Sequence, residues 1–347
     1  MMDASILDFG TGITKIGIGG DADPLHVFRT TVTDGSVQGK EDQVPMKNGN
    51  VSNWDAMELI YTRSFELLGE DSTKRPALLS IPPMGSKLDR ETSAKVLFEK
   101  VGIPSLVMVN NAELSLYQSG QSTGLVVNLG HGTTYVAPIW EHNIFSHAIT
   151  HGGVTGSDID NFLSALLNSN ENAHQVTVEE ARSIKESGAC YVSQDFDDEL
   201  NKDRTEIDLS YELPDGREIL IGRERFLSCE ALFNPEYIDK DSPPIHKLIC
   251  DTVSRCDINI RRNLYSNIHI VGGQSLSIGL IERLQKEIQK KVPQSVEVVI
   301  NAAENRDYAA WVGGSVFSQL STFKNMLVTK ADYEEKGISV LQNTCGV

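Results

Sequence analysis

Two short segments of this chain carry residue types suited to holding a phosphate. Residues 5–20 read SILDFGTGITKIGIGG and residues 124–139 read GLVVNLGHGTTYVAPI. Each is an apolar run, a Gly-x-Gly turn and a second run that resumes at once, the pattern of a β-hairpin. Gly10, Gly12, Gly130 and Gly132 permit positive φ and leave room for a group to approach the backbone. Successive N–H groups in such a turn make a concavity that accepts an anion. Two such turns in one chain suggest two hairpins gripping one polyphosphate from opposite sides. A Gly-x-Gly turn is also what an ordinary hairpin uses, and the motif by itself does not separate the two.

Other constellations offer less. His147-x-x-x-His151 has metal-binding residue types, but no third ligand lies near it in sequence. The cysteines Cys190, Cys229, Cys250, Cys256 and Cys345 are odd in number and lack Cys-x-x-Cys spacing. They read as buried free thiols in a reducing compartment rather than disulfides, zinc ligands or nucleophiles. Lys plus Arg is 31 against 48 for Asp plus Glu, a formal charge of −17 over 347 residues. That balance argues against duplex nucleic acid or an anionic membrane as a direct partner. A nucleotide needs only local N–H groups and one or two lysines. No apolar run approaches the ~18 residues of a spanning helix. The opening MMDASILDFG lacks the basic region of a signal peptide, so a cytosolic or nuclear chain is expected.

The elements that must position these turns follow in order. DGSVQGKEDQVPMKNGNVSN is too poor in apolar residues for a core element. A helix is expected from Asn53-Trp54-Asp55 to Gly69, a buried strand at ALLSIPP, and a helix across LDRETSAKVLFEKVG that stops at Gly102. VNNAELSLYQSG reads as a short helix leading into the second hairpin. Ser157-Asp158 can cap a helix with Ile159, Phe162, Leu163, Leu166 and Leu167 on one face, and Thr177 to Glu180 is a capping box. REILIG is a short strand, and Ile245, Leu248, Ile249, Val253 and Cys256 mark one long helix. IHIVGG is a strand ending in Gly272-Gly273, followed by the helix IGLIERLQKEIQKKV, the strand VEVVI and a helix at YAAWVGGSVFSQL. The order suits two α/β domains of similar plan.

The residues also resemble a known family. YSNIHIVGG, IERLQKEI, WVGGSVFSQLSTFKNM and the ending ADYEEKG…CGV are similar to the C-terminal quarter of actin. Further matches lie at IGRERFLSCEALFNP, CDINIRRNLY, IKESGACYV, SNWDAMELIY and AELSLYQSG, in order along nearly the whole chain. The chain thus resembles an actin-related protein. The resemblance implies an α/β fold of the actin/Hsp70/sugar-kinase ATPase type, two similar domains around a nucleotide cleft. It implies a first subdomain of residues 1–29, 45–118 and 309–347 and a truncated second at 30–44. A third would comprise 119–154 and 241–308, and a fourth 155–240.

It also implies ATP or ADP with Mg2+, or Ca2+, as ligand. Asp8 would hold the cation through water. Gly10, Thr11, Gly12, Ile13 and Lys15 would serve the phosphates from one side and Gly130, His131, Gly132 and Thr133 from the other. Lys185 and Glu186 match a pair lining the adenosine pocket, though alone they read as a solvated helical pair. Gly272, Gly273 and Gln274 match the turn that lies against the nucleotide.

Departures from the family pattern touch its chemistry. Asn111 stands for a glutamine and Tyr135 for a histidine, the two residues that order the attacking water. Asn128 and His131 replace two aspartates, and Asp307 replaces a lysine. Binding with weak or no hydrolysis is expected, the alternatives being a slow nucleotide switch or a nucleotide-free scaffold. The insertion loop of the second subdomain is missing, Asn143 replaces an aromatic residue, and Tyr237-Ile238-Asp239-Lys240 carries two charges at an apolar tip. The terminal aromatic is gone too, leaving Cys345-Gly346-Val347, so a homofilament is not expected. Tyr117, Gly120, Val312, Val316, Phe317, Leu320 and Met326 match the cleft between the first and third subdomains, where protein partners dock. Such partners include actin or other actin-related proteins. The expected setting is a cytoplasmic or cytoskeletal assembly, with nucleus or axoneme also open.

Overall fold

The computed structural model describes residues 3–32, 43–69, 72–169 and 175–343. The chain forms two compact units. Unit 1 holds Met1–Val126, Ile139–His147 and Tyr308–Val347; unit 2 holds Val127–Pro138 and Ala148–Asp307. Residues 119–126 and 139–147, which the resemblance assigns to a third subdomain, group by contact with unit 1. The chain crosses between units inside the strands Gly124–Leu129 and Thr134–Trp140. Most of the expected second subdomain, residues 33–42, lies outside the described residues, as do Cys345, Gly346 and Val347.

Unit 1 is built on a six-stranded sheet in the order Val328–Thr329, Ser105–Asn110, Ala77–Ile81, Ser5–Phe9, Ile13–Ile18, His26–Arg29. The first hairpin is antiparallel and sets Asp8 opposite Lys15 and Phe9 opposite Thr14. Its first strand pairs in parallel with Ala77–Ile81, which pairs in parallel with Ser105–Asn110. Parallel strands covered on both faces read as unbroken apolar runs rather than alternations. For that reason SLVMVN, which carries no alternation, is a central strand that the sequence pattern did not reveal. One face packs Leu7, Ile16, Met57, Ile60, Tyr61 and Phe98; the other packs Ile6, Leu78, Val107, Leu114, Trp311 and Phe317. Met46 also enters the first core, so the polar stretch around it is not wholly outside the packing.

Helix Trp54–Leu68 starts as expected: the Asn53 side chain accepts from the Ala56 amide at 3.1 Å, and Gly69 ends it at φ +88°. The next helical stretch is not uniform. It is α-helical over Lys87–Lys95, widens to a π-helix over Val96–Val101, and closes on Gly102 at φ +84°. Helix Ala309–Ser318 crosses helix Asn111–Gln118 with almost no gap, since a Cβ on Gly313 would lie 1.6 Å from the Leu114 carbonyl oxygen. Trp311 is wholly buried and donates its indole N–H to the Ile6 carbonyl at 3.2 Å.

In unit 2 the strands Ile300–Asn301 and Ile268–Val271 lie in order beside Gly124–Leu129 and Thr134–Trp140, and Thr150–His151 adds to the last. Of VEVVI only Ile300 enters a strand, the two-residue Ile300–Asn301. REILIG forms its strand, Glu218–Ile221, against a partner at Leu209–Glu212. Thr155, not Ser157, caps helix Gly156–Asn168, because its hydroxyl and the Asp158 carboxylate form a reciprocal capping box. The Thr177–Glu180 box opens helix Val178–Glu186 as expected. The single helix expected from Ile245 to Cys256 stops at Ser254, and Asp257 caps a second one, Ile258–Tyr265. Among the described residues no helix is long and apolar enough to cross a membrane.

The contact at Gly313 yields the first prediction. Gly313→Ala would drive a methyl into a backbone carbonyl that cannot rotate away, so it should cost about 3 kcal/mol or more. Thermal unfolding of the two proteins measures this. An unchanged melting temperature would show that the two helices do not approach so closely.

Candidate functional site

The first turn closes on one bond. The Gly10 amide donates to the Ile13 carbonyl at 3.1 Å, and a Cβ on Gly10 would lie 2.8 Å from that same oxygen. None of Gly10, Gly12, Gly130 and Gly132 uses the positive φ that glycine permits. At Gly10 and Gly130 close approach, not a left-handed backbone, is what requires glycine. Thr30 then fixes the peptide planes: its hydroxyl donates to the Gly10 carbonyl at 2.7 Å and its amide to the Gly12 carbonyl at 3.2 Å. In a trans peptide the C=O and the following N–H point in opposite directions. The Thr11 and Ile13 amides are therefore turned away from Thr30. Thr14 donates its hydroxyl to that of Thr30 at 2.8 Å, which holds Thr30 in place.

Asp8 sits at the base of this turn, 7% exposed. Ser80 donates to one carboxylate oxygen at 2.8 Å and the Lys15 ammonium meets the other at 3.2 Å. Each oxygen keeps a lone pair beyond these bonds, which suits a carboxylate that holds a cation through water. Asn111 opens helix Asn111–Gln118 immediately after Asn110, whose side chain caps it by accepting from the Ala112 amide at 3.0 Å. On the same helix, burial pushes the Glu113 carboxyl up to about 7.

The second turn repeats the closure. The Gly130 amide donates to the Thr133 carbonyl at 2.9 Å, and a Cβ on Gly130 would lie 2.8 Å from that oxygen. Here helix Gly156–Asn168 does what Thr30 does in unit 1. The Gly156 amide bonds the Gly130 carbonyl at 2.9 Å and the Ser157 amide bonds the His131 carbonyl at 2.8 Å. By the same peptide geometry the His131 and Gly132 amides point away from the helix. Asn128 donates to the Thr133 carbonyl at 3.2 Å, so it braces the turn. Gly272, at φ +93°, packs so tightly that a Cβ would lie 2.5 Å from the Leu129 carbonyl oxygen; Gly273 faces open space. Gln274 is buried, donates to the Ser277 hydroxyl at 2.6 Å and has a buried amide oxygen with no hydrogen-bond partner.

Lys185 and Glu186 separate in role. Lys185 is folded inward, with its ammonium 2.6 Å from Asp160 and 3.1 Å from the Gly156 carbonyl. Glu186 is half exposed and accepts from Arg182 at 2.7 Å. Asp160 is completely buried, and its other oxygen lies 3.5 Å from the His131 ring. Burial holds the Asp160 carboxyl above its ordinary value, outweighing the opposing pull of Lys185. Sequence reasoning missed Asp160, Ser80 and Thr30. For Asp160 a signal existed: with Gly156, Leu163 and Leu167 it lies on the buried stripe of its helix, where a carboxylate needs a reason.

Tyr135 is 1% exposed and pairs in register with His151, the two rings 5.8 Å apart. Among the described residues no group of three His, Cys, Asp or Glu is placed to hold a metal, so the His147/His151 pair gains no third ligand. The residues expected to line a partner cleft divide. Val316 and Leu320 are exposed, Gly120 is open, Val312, Met326 and Tyr117 are half-buried, and Phe317 is core. Phe317 meets Tyr117 edge-on at 5.2 Å, and His142 stacks on Tyr117 at 4.9 Å. Tyr237 is exposed, whereas Lys240 folds back to pair with Asp158.

Glu113 gives a prediction with a definite sign. Its folded value lies above the unfolded 4.5, so its stability contribution is present below about pH 4.5 and lost as pH rises through about 7. Glu113→Gln should therefore be about 1–2 kcal/mol more stable than wild type at pH 8 and little different at pH 5. Denaturant melts at both values check this. A difference independent of pH would mean that the carboxyl is not desolvated.

The family model described as actin matches residues 1–187 and 174–346, two overlapping stretches that span nearly the whole chain. With mixed α/β units that each carry a sheet, this is the fold of the actin-type ATPases. The chain belongs to the actin family.

Proposed function

We propose that this actin-family chain binds an adenine nucleotide with a divalent cation, holds it as a structural ligand, and hydrolyses it slowly or not at all within a larger protein assembly. The observation that carries this reading is the repeated turn. Each closes on a glycine whose amide bonds the carbonyl three residues on, and each has its carbonyls tied back so that the next amides point outward. That is the arrangement an oligophosphate requires.

The chain's own residues suit the group. Thr11 and Ile13 offer amides in unit 1, His131 and Gly132 in unit 2, and Asp8 offers carboxylate oxygen at the first turn. The divalent cation would neutralise phosphate charge. Lys15 supplies a compact positive charge next to Asp8.

Weak hydrolysis follows from the water-ordering positions. Asn111 is one methylene shorter than the family's glutamine, and Tyr135 puts a buried phenol where an imidazole would order water. Each misplaced group costs on the order of a hundredfold in rate. Against filament formation stand Asn143 and the exposed charge of Asp239 at the tip, whereas Lys240 is folded back on Asp158. Partner proteins would meet unit 1 at exposed Val316 and Leu320 beside Tyr117. A cytoskeletal, cytoplasmic setting fits such a subunit.

Denaturing the purified chain and identifying the nucleotide released, with magnesium present throughout, tests the reading. About one ATP per chain that persists over hours is expected. ADP accumulating from bound ATP would return the switch reading, and no nucleotide at all would leave the turns as scaffold. Asp8→Asn should lower magnesium-dependent retention by about tenfold or more. Equal retention with and without the carboxylate would remove Asp8 from the site.

A further inference from the structure

We propose that the buried hydroxyl pair Thr14–Thr30 is a positioning relay for the first turn. It sets how strongly the Thr11 amide holds a phosphate, without either side chain touching the ligand. The inference rests on the nucleotide reading above and assigns the phosphate preference of unit 1 to two residues outside the Gly-x-Gly turn.

Thr14 lies on the strand Ile13–Ile18, and Thr30 directly follows the strand His26–Arg29. Both are wholly buried, so no water can replace either hydroxyl and no ligand can reach one. The direction of the chain is fixed by its end. The Gly10 carbonyl can only accept, so Thr30 commits its one hydroxyl hydrogen there, at 2.7 Å. The bond between the two hydroxyls, 2.8 Å long, is then donated by Thr14. Two hydroxyl dipoles thus run head to tail into one peptide group.

That peptide joins Gly10 to Thr11. A hydrogen bond accepted by its carbonyl draws charge through the conjugated amide and makes the N–H of the same peptide a stronger donor. The bond also stops the peptide from rotating, which keeps the Thr11 amide on the side away from Thr30. In unit 2 the corresponding carbonyl, that of Gly130, is held by the backbone amide of Gly156 at 2.9 Å, which a side-chain change leaves in place. In unit 1 the same service hangs on a hydroxyl. Thr30→Val removes it at almost constant volume.

Affinities for magnesium–ADP and for adenosine, measured by equilibrium dialysis on the full chain stripped of nucleotide, test the relay through their ratio. Thr30→Val should lower the preference for ADP by about threefold to tenfold and leave adenosine affinity nearly unchanged. Thr30→Ser keeps the hydroxyl and should restore the preference. Thr14→Val should lower it by about twofold. Adding Thr14→Val to Thr30→Val should cost nothing more, because Thr14 acts only through Thr30. An unchanged preference in Thr30→Val, or equal losses for ADP and adenosine, would overturn the inference and leave the pair as a packing contact. Additive losses in the double variant would overturn it too. Should Thr30→Val not fold, Thr14→Val decides alone, and an unchanged preference there overturns the relay. A wild type that binds ADP no better than adenosine would instead overturn the nucleotide reading and this inference with it.

Discussion

Both hairpins fold back on a bond between a glycine amide and the carbonyl three residues along, and much else depends on that closure. At Gly10 and at Gly130 the space for a Cβ is already taken by the oxygen that accepts the bond. A side chain at either position would open the turn, and the amides beyond it would lose their common direction. The two units secure the remaining carbonyls by different means. Unit 1 uses one threonine, Thr30, through both its hydroxyl and its amide. Unit 2 uses the first amides of a helix, which would otherwise need partners of their own. Similar turns have been reached from unlike surroundings, which makes the outward amides the shared feature.

The strongly acidic composition and a polyanionic ligand are compatible because the attraction is local. Among the residues at the two turns, the carboxylates that lie nearest are not left uncompensated: Asp8 meets Lys15 and Ser80, Asp160 meets Lys185, and Asp158 meets Lys240. Backbone amides then act without competing against bare negative charge. The arrangement also explains how the second turn tolerates a buried carboxylate. Asp160 without Lys185 would be an unpaired charge in a low-dielectric interior, at a cost of several kcal/mol, about 3–5 where such pairs have been broken.

Much of the fold was legible in the sequence, for reasons that differ by element. The hairpins showed because a Gly-x-Gly turn between two apolar runs is a short-range signal. The caps at Asn53 and Thr177 showed because each depends on side chains within three residues. The strand Ser105–Asn110 did not, because a strand buried on both faces lacks alternation. The break between Ser254 and Ile258 was hidden because Cys256, although buried, lies beyond the helix end. Phe317 was expected at a partner surface from the family resemblance, yet it is buried against Tyr117 and Phe323, because a residue match cannot say how far the side chains of neighbouring helices cover it. In the site, glycine spacing located the turns, but not Thr30 and Ser80, which reach the first turn from elsewhere in the chain.

The affinity of the chain for a series of ligands losing one phosphate at a time would test the central claim most directly. With magnesium present, binding of ATP, ADP, AMP and adenosine can be compared by calorimetry on nucleotide-free protein. If the two turns are phosphate cradles, affinity should fall steeply from ADP to AMP, by about a hundredfold or more, because outward amides and cation both lose their anion. Equal affinity for ADP and adenosine would contradict it, and would reduce both turns to ordinary hairpins.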